Sequence, residues 1–128
     1  YYVERCNCFW VLAPDARHED RHQRCGFASW RGRGWCRLEE WANFLSRRSL
    51  MPLVVTDTQR IVTYSMISFL MDNLNKPARA PCMGMFSCCE MNHVTRTGRP
   101  FECDKEAIIQ VLNGMFNAKV VDQLKLSP

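Results

Sequence analysis

The stretch Arg33-Gly34-Trp35-Cys36-Arg37-Leu38-Glu39 stands between two short apolar runs, Cys8-Phe9-Trp10-Val11-Leu12-Ala13 and Met51-Pro52-Leu53-Val54-Val55-Thr56. Each run has the length and the β-branched or aromatic content of a strand buried on both faces. Between them, Trp35, Leu38, Trp41 or Ala42, and Leu45 recur at helical spacing. Arg37, Glu40, Arg47 and Arg48 fall on the other side, and Glu39 lies at the border. This spacing predicts a helix over 35–46. Strand, loop, helix, strand is a βαβ unit, with Cys8–Ala13 as a central parallel strand. The fold class expected is α/β, a small partly parallel sheet with flanking helices.

Upstream of the helix, Asp15 to Arg33 is polar, contains His18, His22 and several Arg, and reads as a long exposed loop. Long loops in compact domains are often functional, so a site is first sought here. His18 and His22 would share a face if helical, but Asp15, Glu19 and Asp20 around them fit a solvated surface better than a metal site. Arg31, Arg33 and Arg37, interleaved with Trp30 and Trp35, make a candidate binding surface, since guanidinium pairs with phosphate and indole offers a stacking face. The simpler reading is a solvated loop and helix start anchored by its tryptophans. Seventeen Lys plus Arg against thirteen Asp plus Glu, a net charge of +4, gives no demand for a nucleic acid partner.

Downstream, Thr56 to Gln59 has capping-box spacing before an apolar-rich segment ending at Asn75-Lys76-Pro77, which predicts one long helix within 57–76. Residues 77–103 are irregular and Cys-rich, and Met83 to Cys89 reads as a strand or ordered coil. Asp104 can cap a last helix whose Ala107, Ile108, Val111, Leu112 and Met115 form one face, with Asn113-Gly114 a candidate stop before the tail to residue 128. Five methionines lie between Met66 and Met91, and core filling is the simpler use for them than an adaptable docking surface. The 128 residues, 47% of them hydrophobic, make one domain, 1–128, without repeats or low-complexity tracts. No apolar run reaches the roughly 20 residues of a membrane-spanning helix.

Eight cysteines fall into two groups, Cys6, Cys8, Cys25 and Cys36, then Cys82, Cys88, Cys89 and Cys103. Buried free thiols, one or two disulfides, and zinc are three uses of them. Cys82, Cys88, Cys89, His93 and Cys103 supply enough soft ligands for zinc, although no C-x-x-C knuckle is present. On an extended chain Cys88 and Cys89 would point to opposite faces and take different partners. A nucleophile and base made of Cys88 or Cys89 with His93 would need an oxyanion hole that the spacing does not fix. There is no Gly-rich nucleotide loop, Gly-x-Ser-x-Gly or His-Glu-x-x-His.

Trp35, Cys36, Glu39 and Pro52-Leu53-Val54-Val55 resemble the order of parts in Toll/interleukin-1 receptor (TIR) domains. There a buried strand and loop precede a helix opening Trp-Cys-x-x-Glu, then a Pro-hydrophobic strand. The resemblance covers residues 8 to 56 and implies a partial TIR or flavodoxin-like βαβ core. From the family members that cleave NAD, it implies a catalytic role for Glu39 with NAD as substrate. A carboxylate beside the ribose would stabilise the oxocarbenium-like transition state of glycosidic cleavage. Arg33 stands where the family has Ser, Glu40 where an apolar residue is usual, and the chain opens at about the third family strand. A pocket without the earlier walls neither excludes water nor holds two phosphates in register. The first third also resembles segments of algal proteins of unassigned function.

The function expected is therefore non-enzymatic, an interaction or accessory subunit with protein partners in a larger assembly, with no cofactor. A NAD glycohydrolase using Glu39 and a zinc-stabilised binding module are the alternatives. The sequence sets no compartment. An opening at Tyr1-Tyr2, without Met or a signal-peptide layout, fits a processed chain in an organelle such as the plastid, and association at the periphery of a membrane complex is left open.

Overall fold

The computed structural model describes residues 2–19, 21–46, 51–57 and 59–126. Strand β1 (Trp10–Leu12) pairs in parallel with β4 (Leu53–Asp57), which pairs antiparallel with β5 (Arg60–Thr63), in the order β1-β4-β5. Between β1 and β4 lie a small hairpin, β2 (Ala16–Arg17) and β3 (Arg24–Cys25), then α1 (Phe27–Gly32) and α2 (Gly34–Leu45). After β5 come α3 (Met66–Asn75), a 3-10 turn at Pro77–Arg79, α4 (Ser87–Glu90) and α5 (Asp104–Leu126). The protein is thus α/β, with one parallel pair, flanking helices and a largely irregular Cys-rich segment before the last helix.

The βαβ order stands, but the sheet differs from the expected one. β1 is an edge strand and β4 the centre. Only one side of β1 is buried, at Val11, while Trp10 and Leu12 face outward. The segment expected as one helix from Arg60 divides into two elements. Ile61-Val62-Thr63 is a β-branched run suited to a pleated strand, and the helix starts only at Met66, where the Ser65 hydroxyl accepts the Ser68 backbone N–H at 3.2 Å. Residues 15–33, expected as loop, hold the β2–β3 hairpin and α1. The Ser29 hydroxyl joins Gly26 by two bonds at the start of α1. Met83 to Cys89 contains no strand and enters α4 instead. Gly114 does not stop α5, which continues to Leu126, roughly 35 Å in all.

Two apolar clusters meet around α2. Leu38, Ala42, Phe86, Cys88, Ile108 and Met115 form one, with Val111 and Leu112 against it, so the face expected for α5 is the one buried. Val11, Ala13 and Val54 form the other, under Phe9, Phe27, Trp30 and Tyr64. The second flank of α2 is closed by rings, with Phe44 stacked on Phe69 at 4.3 Å and Trp41 edge-on to Phe69 at 5.3 Å. Helix α2 is therefore surrounded rather than half exposed. Arg37 and Glu40, expected in solvent, are buried, whereas Trp35 is partly exposed. Arg47 and Arg48 lie outside the described residues.

Candidate functional site

Burial of Arg37 and Glu40 has to be compensated by hydrogen bonds. Arg37 donates to the carbonyls of Ala80 at 3.2 Å, Met83 at 2.7 Å, Met85 at 3.1 Å and Gly32, and its guanidinium lies 5.2 Å from the Phe86 ring centre. The Glu40 carboxylate accepts from Arg31 at 2.8 Å and from the Tyr64 hydroxyl at 3.0 Å. Asp72 pairs with Arg31 and Arg79. Burial first, then the Glu40 charge, raises the Tyr64 phenol above its ordinary value, so it stays a donor. Of the three arginines of the candidate binding surface, Arg31 and Arg37 are committed to internal bonds. Arg33 is exposed. Trp30 packs against Phe9 and Phe27. Arg31 and Arg37 thus clamp α1, α2 and the 80–86 loop together, while Arg33 and Trp35 remain at the surface.

Glu39 is half-buried, and desolvation raises its carboxyl above the ordinary value. Among the described residues no arginine forms an ion pair with it; the neighbouring Glu40 has taken that role. A cleft of about 790 Å³ opens at the C-terminal ends of β1 and β4, lined by residues including Ala13, Asp15, Phe27, Thr56, Asp57 and Arg60. In open α/β sheets this is the usual place for a ligand, but Glu39 does not line it. His18 and His22 sit in the β2–β3 connection, where the His22 N–H donates to the His18 carbonyl at 2.9 Å, and not on a helix.

The cysteines are all free thiols. Cys88, Cys89, His93 and Cys103 converge, with their sulfur and ring-nitrogen atoms all within 4.8 Å of one another. Cys82 is not in the cluster. Because α4 is a helical turn and not an extended segment, Cys88 and Cys89 share one site, their sulfurs 3.9 Å apart. Asn92 and His93 both adopt left-handed backbone, with φ of 53° and 56°, which folds the chain back so that His93 N–H reaches the Cys88 carbonyl at 2.9 Å. Nε2 of His93 then lies 3.5 Å from Cys89 Sγ. Cys103, just before α5, brings its sulfur to 3.8 Å from Cys89. The backbone N–H of Lys105 is the main cause lowering the Cys103 thiol to about 7, whereas desolvation and then the adjacent thiols raise Cys89 to about 11. In the pair the sequence suggested, Cys89 with His93, the thiol is thus less acidic than Cys103, which His93 instead contributes to lowering.

The outer face of the sheet is a second candidate surface. Cα partners share a face, so Trp10 and Leu12 of β1, Leu53 and Val55 of β4, and Ile61 of β5 lie side by side. Trp10 is 53%, Leu12 71% and Ile61 57% exposed. Met66, Met71, Met83 and Met85 are exposed as well, so most of the methionines expected to fill the core are on the surface. No protein-family model, no curated protein and no solved structure matches the chain.

Proposed function

We propose that the chain is a non-enzymatic interaction module, an accessory subunit that completes its sheet by docking a protein partner. The observation that carries this reading is the outer face on which Trp10, Leu12 and Ile61 are exposed beside half-buried Leu53 and Val55. Sheets with parallel pairs are normally covered on both sides, and contiguous apolar surface of this kind marks interaction sites. β1 adds an edge with no neighbour among the described residues beyond β4, whose N–H and C=O groups accept another strand. The partner fitting this surface presents an apolar helix layer, as α1 does on the opposite side. A TIR-like relationship belongs to the same proposal, supported by the parallel β1–α2–β4 order and the Trp35, Cys36 and Glu39 pattern.

A photo-crosslinking residue at Trp10 or Ile61, in the source cells, is expected to capture one protein at this face. Leu12→Asp should abolish that capture while leaving the thermal unfolding of the chain unchanged. Purified alone, the wild-type chain should self-associate as concentration rises and Leu12→Asp should not. A wild-type chain that sediments as a stable monomer at high concentration and crosslinks to nothing at either position would overturn the reading.

A further inference from the structure

We infer that Cys88, Cys89, His93 and Cys103 form a closed tetrahedral zinc site that fixes residues 87–103 to the start of α5. With zinc–sulfur bonds of about 2.3 Å and a zinc–nitrogen bond of about 2.0 Å, tetrahedral geometry sets sulfur–sulfur edges of about 3.8 Å and sulfur–nitrogen edges of about 3.5 Å. Here the three edges that meet at Cys89 are 3.9 and 3.8 Å to the other sulfurs and 3.5 Å to His93 Nε2, and all six edges lie within 4.8 Å. The sulfurs lie far beyond the roughly 2.05 Å of a disulfide. Three thiolates with one imidazole is a donor set of structural zinc, and four protein ligands leave no open position for a substrate.

The supporting contacts suit a metal. The backbone N–H of Lys105, near Cys103, favours the thiolate form of that residue. The Phe101 ring stands edge-on to His93 with centroids 6.2 Å apart, and Phe101 N–H donates to the His93 carbonyl at 2.9 Å, so the imidazole is held with Nε2 toward the sulfurs. Cys88 is buried in the cluster of Leu38, Phe86 and Ile108, which ties the site to α2 and α5. Between α4 and α5 the described backbone has no helix and only an isolated Val94–Pro100 bridge, with turn hydrogen bonds such as Thr95 N–H to the Arg99 carbonyl and Phe101 N–H to that of His93. Zinc entering displaces the thiol protons of Cys88, Cys89 and Cys103 to solvent, and no electron moves. Its binding energy appears as folding energy of this segment.

The test uses the full chain, purified under reducing conditions without a metal-affinity step. Elemental analysis is expected to give one zinc per chain. Cys89→Ser and Cys103→Ser should each retain less than a tenth of that, while Cys82→Ser, outside the cluster, retains all of it. After chelation, cobalt(II) should give the thiolate charge-transfer and intense visible bands of a tetrahedral site, displaced by one equivalent of zinc. His93→Cys should keep the metal and shift the cobalt bands toward those of four sulfurs, a result that misfolding does not produce. Wild-type chain with reduced thiols that holds well under one equivalent of zinc and gives only octahedral cobalt bands would overturn the inference. So would loss of zinc from Cys82→Ser equal to that from Cys103→Ser.

Discussion

Replacing Arg37 by methionine keeps the volume and apolar stem but removes a buried cation bound to four backbone carbonyls. Hydrogen bonds to a charged group contribute about 1.5–3 kcal/mol each, so a simple sum would reach several times the true cost. Gly32, Met83 and Met85 are exposed residues whose carbonyls return to water, and Ala80 is only half-buried. The desolvation cost of the guanidinium is also recovered. The expected net loss is about 2–4 kcal/mol, which for a chain of this length lowers Tm by roughly 7–15 °C. Arg37→Lys, which lacks the planar fork and the stacking over Phe86, should fall between, at about 1–2 kcal/mol. Urea denaturation with the midpoint and slope both measured gives the number. Hydrogen exchange should quicken at residues 80–86 before the rest of α2. Arg37→Met within about 0.5 kcal/mol of wild type, the range of an ordinary surface change, would refute the view that Arg37 holds this loop.

Gly34→Ala should destabilise by about 1–2 kcal/mol despite alanine's helix preference. A Cβ there would sit 2.5 Å from Phe86 Cε1 and 3.1 Å from Ile108 Cδ1. Gly114→Ala, which meets nothing within 4 Å, should instead stabilise by up to about 1 kcal/mol, and the two melting curves side by side give the sign of each. Incubated with NAD, the chain should release no nicotinamide above a blank, because Glu39 lies off the cleft at the strand ends; release abolished by Glu39→Gln would reinstate the glycohydrolase. In metal-free chain, Cys103 should alkylate faster than Cys89 at neutral pH. Its folded thiol value is lowered to about 7, so its rate rises as pH passes through that value and the thiolate forms, whereas Cys89 waits until about 11. Peptide mapping over a pH series resolves the two, and equal rates would count against the Lys105 hydrogen bond.

The parallel pair and α2 were legible because a continuous apolar run and a 3.6-residue period are strong local signals. The polarity of α2 misled for the same reason. Periodicity records which residues are apolar, not that Ala80, Met83 and Met85 would place carbonyls over Arg37 or that Tyr64 and Arg31 would meet Glu40. β5 was missed although Ile61-Val62-Thr63 and the Ser65 cap announce a strand followed by a helix; the capping-box spacing of Thr56 and Gln59 outweighed them. Cys88, Cys89, His93 and Cys103 were all named as candidates, and Cys82 with them. Their convergence was not readable, since it depends on a single helical turn and on left-handed Asn92 and His93, which no spacing rule encodes.

The asymmetry of α5 has a consequence for how the chain opens. Up to Met115 the helix is fastened to α2, while Phe116, Val120, Val121 and Leu124 beyond it look outward. An unsupported helical stretch of about a dozen residues is marginal in water, and Gly114 at the junction weakens it further. The last three turns are therefore expected to open ahead of the global transition, read as faster amide hydrogen exchange there than in the part of α5 before Met115, and a partner that grips those outward side chains would lengthen the cooperative unit without altering the rest of the molecule.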